Sequence, residues 1–256
     1  MYRFLLCSLL SMFVFTACNV SFPKETIEQD SVNLIKKETQ ADTKAYVRGS
    51  TLYLDVCFED LVSNDQQKIS KLYETLQKIV SNIVRVPLSS DANIEYVVIN
   101  AFDPNYQTLL RLVENIDDIK LYSHQLISRE DYSERQLMEF EGPQRVKEIV
   151  EDKHDISKEE YVARLVVSQM NLSSRNNPLV SKLIQFLELK FSHIENNKMF
   201  FKFKNSIDND NIIKLFKEMF EKEVDKNIKK YKLFSIKSAI LLDDKKNVSF
   251  SMPLNN

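Results

Sequence analysis

Residues Thr51 to Glu59 read TLYLDVCFE, and apolar and more polar side chains alternate along this stretch. One face is apolar and carries Leu52, Leu54, Val56 and Phe58. The opposite face carries Tyr53, Asp55 and Cys57. Because successive side chains of a strand point to opposite sides, this alternation predicts a β-strand with one strongly buried face.

The segments that follow predict how this strand is covered. From Asp65 to Val84, apolar residues recur at spacings of three and four, which places them on one stripe of a helix. The stripe consists of Ile69, Leu72, Leu76, Ile79 and Ile83. Ile94 to Phe102 (IEYVVINAF) is rich in β-branched and aromatic residues, which favours a second strand. A strand, a long helix and a strand are typical of a parallel crossover.

The next residues extend this pattern into a βαβαβα module. Asp103-Pro104 is typical of a helix start, with an apolar face at Leu109, Leu112, Val113 and Ile116. Ile119 to Ile127 predicts a third strand, and Ser128 with Asp131 predicts the N-cap of a further helix. The residues from Gly142 to Asn177 have a charged, helical pattern.

Residues 178–256 have a different pattern. Alternating runs around Asn196-Asn197 predict one β-hairpin, and runs around Asp243 to Lys246 predict another. Between them, Asn209 to Lys229 predicts an amphipathic helix through Ile212, Phe216, Phe220 and Val224. We therefore expect an α+β fold with an N-terminal βαβαβα module, a helical segment and a C-terminal ββαββ module.

Composition excludes several classes of site. Gly49 and Gly142 are the two glycines of the chain, which excludes a glycine-rich phosphate loop and a dinucleotide fingerprint. The three histidines and three cysteines are too scattered for a zinc cluster, and we expect neither a metal nor a cofactor. The formal net charge of -2 gives no reason to expect nucleic-acid binding.

The N-terminus has the anatomy of a secretory signal. Arg3 precedes the apolar run from Phe4 to Phe15, which is shorter than the about 20 residues that a membrane-spanning helix needs. The tetrad Phe15-Thr16-Ala17-Cys18 resembles the lipobox of bacterial lipoproteins, with Phe15 standing where Leu is usual. The resemblance is confined to this segment, and no family is recognised for the mature domain.

The resemblance implies that residues 1–17 are removed and that Cys18 is acylated, so a lipid such as palmitate holds the protein on a membrane. Asn19 is not the Asp that favours inner-membrane retention, so we expect the periplasmic face of the outer membrane, with the inner membrane or the cell surface as alternatives. An ordinary cleaved signal or an uncleaved anchor also fits the residues.

The sequence predicts four regions: a signal peptide at 1–17, the lipidated cysteine with a flexible tether at 18–45, an α/β module at 46–177 and the ββαββ module at 178–256. The tether is predicted because residues 19–45 are polar and lack a clean period. The Ser173 to Pro178 loop marks the boundary between the modules.

The sequence contains no catalytic motif. Asp103 is explained by its N-cap role, and Cys57 by packing on its strand. The register of His193 favours a core or edge position over a ligand role, while His124 and His154 stand among polar neighbours.

The C-terminal helix carries lysines, of which Lys226, Lys229 and Lys230 are candidate contacts for an anionic partner. Interleaved acids also fit a plain solvated helix face. We expect a non-enzymatic binding or assembly factor of the cell envelope, which binds an envelope protein or an anionic polymer. An envelope hydrolase or transferase and a structural spacer are the alternatives.

Overall fold

A computed structural model describes the chain over residues 22–59, 61, 65–173, 188–203, 205, 210–243 and 248–254. Cys18, the signal segment and most of the predicted boundary loop lie outside these residues. The helices described are α1 (Ile27–Thr39), α2 (Gln66–Ile83), α3 (Arg85–Leu88), α4 (Ile116–Ser123), α5 (Arg129–Arg135), α6 (Pro143–Glu151), α7 (Lys158–Ser173) and α8 (Asp210–Tyr231).

The strands described are β1 (Asp42–Arg48), β2 (Thr51–Cys57), β3 (Tyr96–Phe102), β4 (Leu109–Asn115), β5 (Leu137–Glu141), β6 (Lys190–Glu195), β7 (Lys198–Lys202), β8 (Ser238–Leu242) and β9 (Val248–Pro253). The strand order is β1-β2-β3-β4-β5 in the first sheet and β6-β7-β8-β9 in the second. The predicted α+β class is confirmed, with an α/β part, a helical segment and then ββαββ.

The chain divides into two units, which we describe separately. Unit 1 comprises Met1–Leu109 and Gly142–Lys153, and unit 2 comprises Leu110–Glu141 and His154–Asn256. The division is therefore discontinuous and differs from the predicted modules at 46–177 and 178–256. The difference arises because Leu110–Glu141 and the helix α7, which the prediction placed in the first module, belong to unit 2.

The predicted crossover is present in unit 1. Strands β2 and β3 pair in parallel, with Thr51 opposite Tyr96 and Cys57 opposite Phe102. Helix α2 connects them, and the carboxylate of Asp65 accepts the backbone N–H of Gln67 as its N-cap. The predicted apolar face is fully buried at Leu52, Leu54 and Val56 of β2 and half-buried at Phe58, just after the strand. Ile79 and Ile83 of the predicted helical stripe are fully buried.

The N-terminal part of unit 1 is more ordered than the sequence predicted. The prediction of a flexible tether to residue 45 is wrong from Ile27 onward, because α1 occupies Ile27–Thr39 and β1 begins at Asp42. Ile27 and Ile35 lie eight positions apart on one side of α1, and both are buried. Strand β1 pairs antiparallel with β2 through a turn in which Gly49 adopts a φ of 56°, a conformation that glycine allows without strain.

Two elements between Asp103 and Ile127 differ from the prediction. The segment after Asp103 is strand β4 rather than a helix, because the Asp103 carboxylate accepts the backbone N–H groups of Asn105, Gln107 and Thr108 and closes a loop. The predicted strand at 119–127 is largely helix α4, which begins where the Asn115 side chain accepts the N–H groups of Asp117 and Asp118. The Ser128 cap of α5 is confirmed.

The second sheet lies in unit 2 and follows the predicted ββαββ order. Asn196 and Asn197 form the first hairpin turn, both with positive φ. Strands β7 and β8 pair in parallel across α8, with Met199 opposite Ala239. The apolar stripe of α8 is buried through Phe216, Phe220 and Val224, as predicted.

Candidate functional site: a polar sheet face in unit 1

The three strands of unit 1 bring polar side chains together on one face of the sheet. In β1, the outward positions are Asp42, Lys44, Tyr46 and Arg48, which alternate with inward residues. Their strand partners in β2 are Cys57, Asp55, Tyr53 and Thr51, respectively. Asp55 in turn lies opposite Asn100 of β3. We call this surface the polar face.

A buried ion pair stands at the centre of the polar face. Lys153, just after α6, places its Nζ atom 2.9 Å from Oδ2 of Asp55, and both side chains are less than a tenth exposed. The Lys153 ammonium also donates to the backbone carbonyl of Val150 and lies over the rings of Tyr46 and Tyr53. Nδ2 of Asn100 donates to Oδ1 of Asp55 over 2.8 Å. Both carboxylate oxygens of Asp55 are therefore occupied.

A cavity of about 580 Å³ opens over this face. Its aromatic wall contains Phe102 and Tyr106, whose rings stack with centroids 5.1 Å apart. The residues that line the cavity are Asp42, Thr43, Lys44, Tyr46, Arg48, Asp55, Cys57, Phe102, Pro104, Tyr106, Val150, Glu151 and Lys153. Its volume lies within the range of about 300–1,000 Å³ that small-molecule sites occupy.

The acids and bases that line the cavity balance in number, with Asp42, Asp55 and Glu151 against Lys44, Arg48 and Lys153, but they are not all paired. Lys44 and Arg48 are exposed and lie two positions either side of Tyr46. Among the described residues, no carboxylate lies in ion-pair distance of either cation. Arg48 uses one guanidinium nitrogen on the backbone carbonyl of Val47. Two cations therefore stand beside an aromatic ring with their charge available to a ligand.

Cys57 contributes a thiol to the cavity wall. Burial raises the pKa of this thiol above its usual value, and the carboxylates of Asp42, Asp103 and Glu59 raise it further. The group is therefore protonated at neutral pH and is a poor nucleophile. This agrees with the sequence-based interpretation of Cys57 as a packed residue.

Unit 2 contains a different kind of polar cluster, in which the charged side chains pair with one another. Asp118 accepts from Arg135 over 2.8 Å and from the Tyr231 hydroxyl over 2.7 Å. The Tyr161 hydroxyl donates to the backbone carbonyl of Arg135. Arg135 also pairs with Asp131, which in turn binds Lys230 at 2.7 Å. We call these side chains the buried network.

Glu114 borders the same region of unit 2 and has an unusual protonation equilibrium. Burial raises the pKa of its carboxyl to about 7, although hydrogen bonds from Tyr132 and Gln136 oppose the shift. Perturbed carboxyls are typical of functional sites and also of structural networks. Glu114 does not line the cavity, which belongs to unit 1.

The three candidate lysines lie on α8, each beside a carboxylate. Lys226 is 2.9 Å from Glu134, Lys229 is 2.7 Å from Asp225, and Lys230 is largely buried against Asp131. Local acids thus already neutralise their charge. Their contact with an anionic partner stays a prediction.

The remaining candidates have structural contacts. His193 stacks on Phe200 with centroids 4.5 Å apart, and His154 contacts Glu160 at 3.0 Å. Within the described part of the chain, no group of three or more potential ligands could hold a metal ion.

Sequence reasoning missed Lys44, Arg48 and Lys153. The alternation of β2 placed Asp55 and Cys57 on one face, but β1 was assigned to a tether. Lys153 follows α6 and reaches β2 only in the folded chain, so no local spacing indicates the pair. The alternation of charged residues and tyrosine from Asp42 to Arg48 is the one signal that could have revealed the face.

No protein family, curated protein or solved structure matches this chain. No helix among the described residues is both long enough and apolar enough to cross a membrane. The function is therefore argued from the site itself.

Proposed function

We propose that this chain is a lipid-anchored, non-enzymatic binding factor of the cell envelope, which holds a small anionic ligand in the cavity of unit 1. The observation that supports the proposal is the pair of cations, Lys44 and Arg48, that no carboxylate neutralises in the described part of the cavity wall. Exposed cations without an ion-pair partner can bind an acidic group through charge-assisted hydrogen bonds.

The other residues of the cavity wall indicate the chemistry of the rest of the ligand. Tyr46 lies between the two cations on β1, and the stacked rings of Phe102 and Tyr106 form a second apolar surface. Aromatic rings provide broad contact area for planar or apolar groups. We therefore expect a ligand with an acidic group beside an apolar or ring-shaped part.

Binding fits this site better than catalysis. The Asp55 carboxylate accepts from both Asn100 and Lys153, so neither oxygen is available as a general base. The Cys57 thiol has a raised pKa and lacks an activating base among its described contacts. The carboxyl with the most shifted pKa, Glu114, belongs to unit 2.

The anchor part of the proposal is tested by acylation. Cells that express the wild-type chain and the Cys18→Ala variant are fed a radioactive fatty acid, with Cys7→Ala and Cys57→Ala as matched cysteine controls. We expect label in the wild type and both controls, and none in Cys18→Ala. Label that persists in Cys18→Ala, or that is absent from the wild type, would contradict the anchor.

The proposed ligand binding is tested by identifying the small molecules that stay bound to the isolated protein. Wild-type protein is isolated from its own membranes, denatured, and the released small molecules are identified by mass spectrometry. The cavity variant carries Lys44→Gln and Arg48→Gln, and the matched control carries Lys36→Gln and Lys37→Gln, which remove the same charge from exposed positions of α1.

We expect the wild type and the control to retain the same amount of an acidic compound, and the cavity variant to retain about tenfold less of it. Loss of two charge-assisted contacts makes a change of this size reasonable. Equal retention by all three proteins, or no bound acidic compound in any of them, would contradict the proposal.

A further inference from the structure

The chain enters unit 1 at a fixed point. The backbone N–H of Phe22 donates to the carbonyl of Ser89 over 3.4 Å, and Phe22 forms a bridge with Ser90. The backbone N–H of Lys24 then donates to the Asp91 carboxylate over 2.7 Å. The main chain is therefore attached to the end of α3 before α1 begins.

This attachment leaves little chain between the unit and the acylated cysteine. Four residue steps separate Cys18 from Phe22. Fully extended, four residues span at most about 14 Å. A diacylated cysteine lies at the level of the lipid headgroups, so unit 1 has to stand within about that distance of the bilayer.

The surface around this attachment carries apolar and basic side chains, beside the exposed acids Glu25 and Asp91. Leu88 of α3 is a large apolar side chain that is 41% exposed. Lys24 and Arg85 are also exposed. Arg85 lies three residues before Leu88, and Lys24 lies two residues after Phe22, whose backbone contacts Ser89. Long basic side chains reach phosphate groups while their apolar stems stay in the interface.

The orientation of helix α1 shows which end of β1 lies near this attachment. At its start, Glu28 accepts the backbone N–H of Val47, near the end of β1. At its other end, Thr39 is three residues before Asp42, where β1 begins. The helix thus runs antiparallel to β1, and its 13 residues span about 20 Å.

Resting on the proposed acylation of Cys18, we propose that unit 1 docks directly on the bilayer surface through a membrane-facing end formed by Phe22, Lys24, Arg85, Leu88 and Ser89. The Arg48 end of the polar face then lies near the lipid. The Cys57 end, with Tyr106 and the loop after β3, points away from it, so the ligand enters from the aqueous side.

The proposal is tested with the full, acylated chain in vesicles of phosphatidylethanolamine and phosphatidylglycerol that contain a headgroup-attached quencher. A thiol-reactive fluorophore is placed by Leu88→Cys at the membrane-facing end or by Asn105→Cys in the exposed loop at the far end, each in a Cys57→Ser background. Incorporated fatty acid is measured in the same samples.

We expect the label at residue 88 to be quenched several-fold more than the label at residue 105. A flexible insertion of about 20 Gly and Ser residues between Cys18 and Phe22 should lower quenching at residue 88 and leave acylation unchanged.

Equal, weak quenching at both positions of an acylated protein would overturn the docking while leaving the anchor intact. Absence of fatty acid from the protein would remove the anchor and the docking together. Greater quenching at residue 105 than at residue 88 would show that the opposite end faces the membrane.

Discussion

Units 1 and 2 both bury charged side chains, but they neutralise charge to different degrees. In the buried network of unit 2, Asp118 and Arg135 bind each other directly, and Asp131 binds Lys230. In unit 1, Lys153 and Asp55 form a similar pair, but it lines a cavity beside the unneutralised cations Lys44 and Arg48. This difference is why we propose a binding role for the polar face and a structural role for the network.

The largest effect is expected when the buried network loses its arginine. Arg135→Met leaves the Asp118 carboxylate, whose side chain is 5% exposed, with one hydrogen-bond donor instead of two. Uncompensated buried charge is costly, so the free energy of unfolding should fall by about 3–5 kcal/mol in denaturant melts.

The matched control is Lys120→Met, which removes an exposed cation 3.2 Å from Asp117. It should cost less than about 1 kcal/mol. If both variants cost the same, the network does not contribute to the stability of unit 2 as described.

The next effect is a pH dependence that Glu114 imposes on stability. The folded chain holds the Glu114 proton up to a pKa of about 7, whereas an unfolded carboxyl releases it near its ordinary value. The unfolded state binds fewer protons in this window, so stability falls as the pH rises through it, by about 3 kcal/mol in total.

Glu114→Gln should abolish this fall and stabilise the protein at pH 8 relative to the wild type. Urea melts at pH 5 and pH 8 measure it, with Glu148→Gln on the exposed side of α6 as the control. A pH dependence that is the same in all three proteins would show that Glu114 titrates normally.

A smaller effect is expected for the pair in unit 1. Lys153→Met leaves Asp55 with its bond from Asn100 and with a cavity that admits water. The loss of stability should therefore be about 1–3 kcal/mol, below that of Arg135→Met. Lys147→Met on α6, where the side chain is exposed, provides the control. A loss as large as that of Arg135→Met would show that Asp55 is sealed from water, which contradicts an open binding cavity.

Part of the polar face in unit 1 could be predicted from the sequence. The alternation of β2 and the periodicity of α2 predicted the crossover and placed Asp55 and Cys57 on one face, because local spacing alone sets which side chains share a surface. The partners of Asp55 were out of reach, since Lys153 lies on a different segment. Strand β4 was mistaken for a helix because Arg111, buried in the strand, interrupts the apolar alternation.

The smallest effect on stability is expected where the proposed function predicts the largest effect on binding. The variant with Lys44→Gln and Arg48→Gln removes two cations that form no ion pair within the described residues, so its unfolding free energy should stay within about 0.5 kcal/mol of the wild type. A loss above that range in thermal or denaturant melts would show that the two cations serve the fold instead.

The most direct test of the binding role is the reactivity of Cys57, which lines the cavity. Protein isolated from its membranes is compared with protein that has been denatured, stripped of small molecules and refolded, and circular dichroism confirms the fold. We predict that a small alkylating reagent modifies Cys57 several-fold more slowly in the protein as isolated, and that the released small-molecule fraction restores protection. Equal rates before and after stripping, with no protection on adding the fraction back, would contradict a ligand in the cavity.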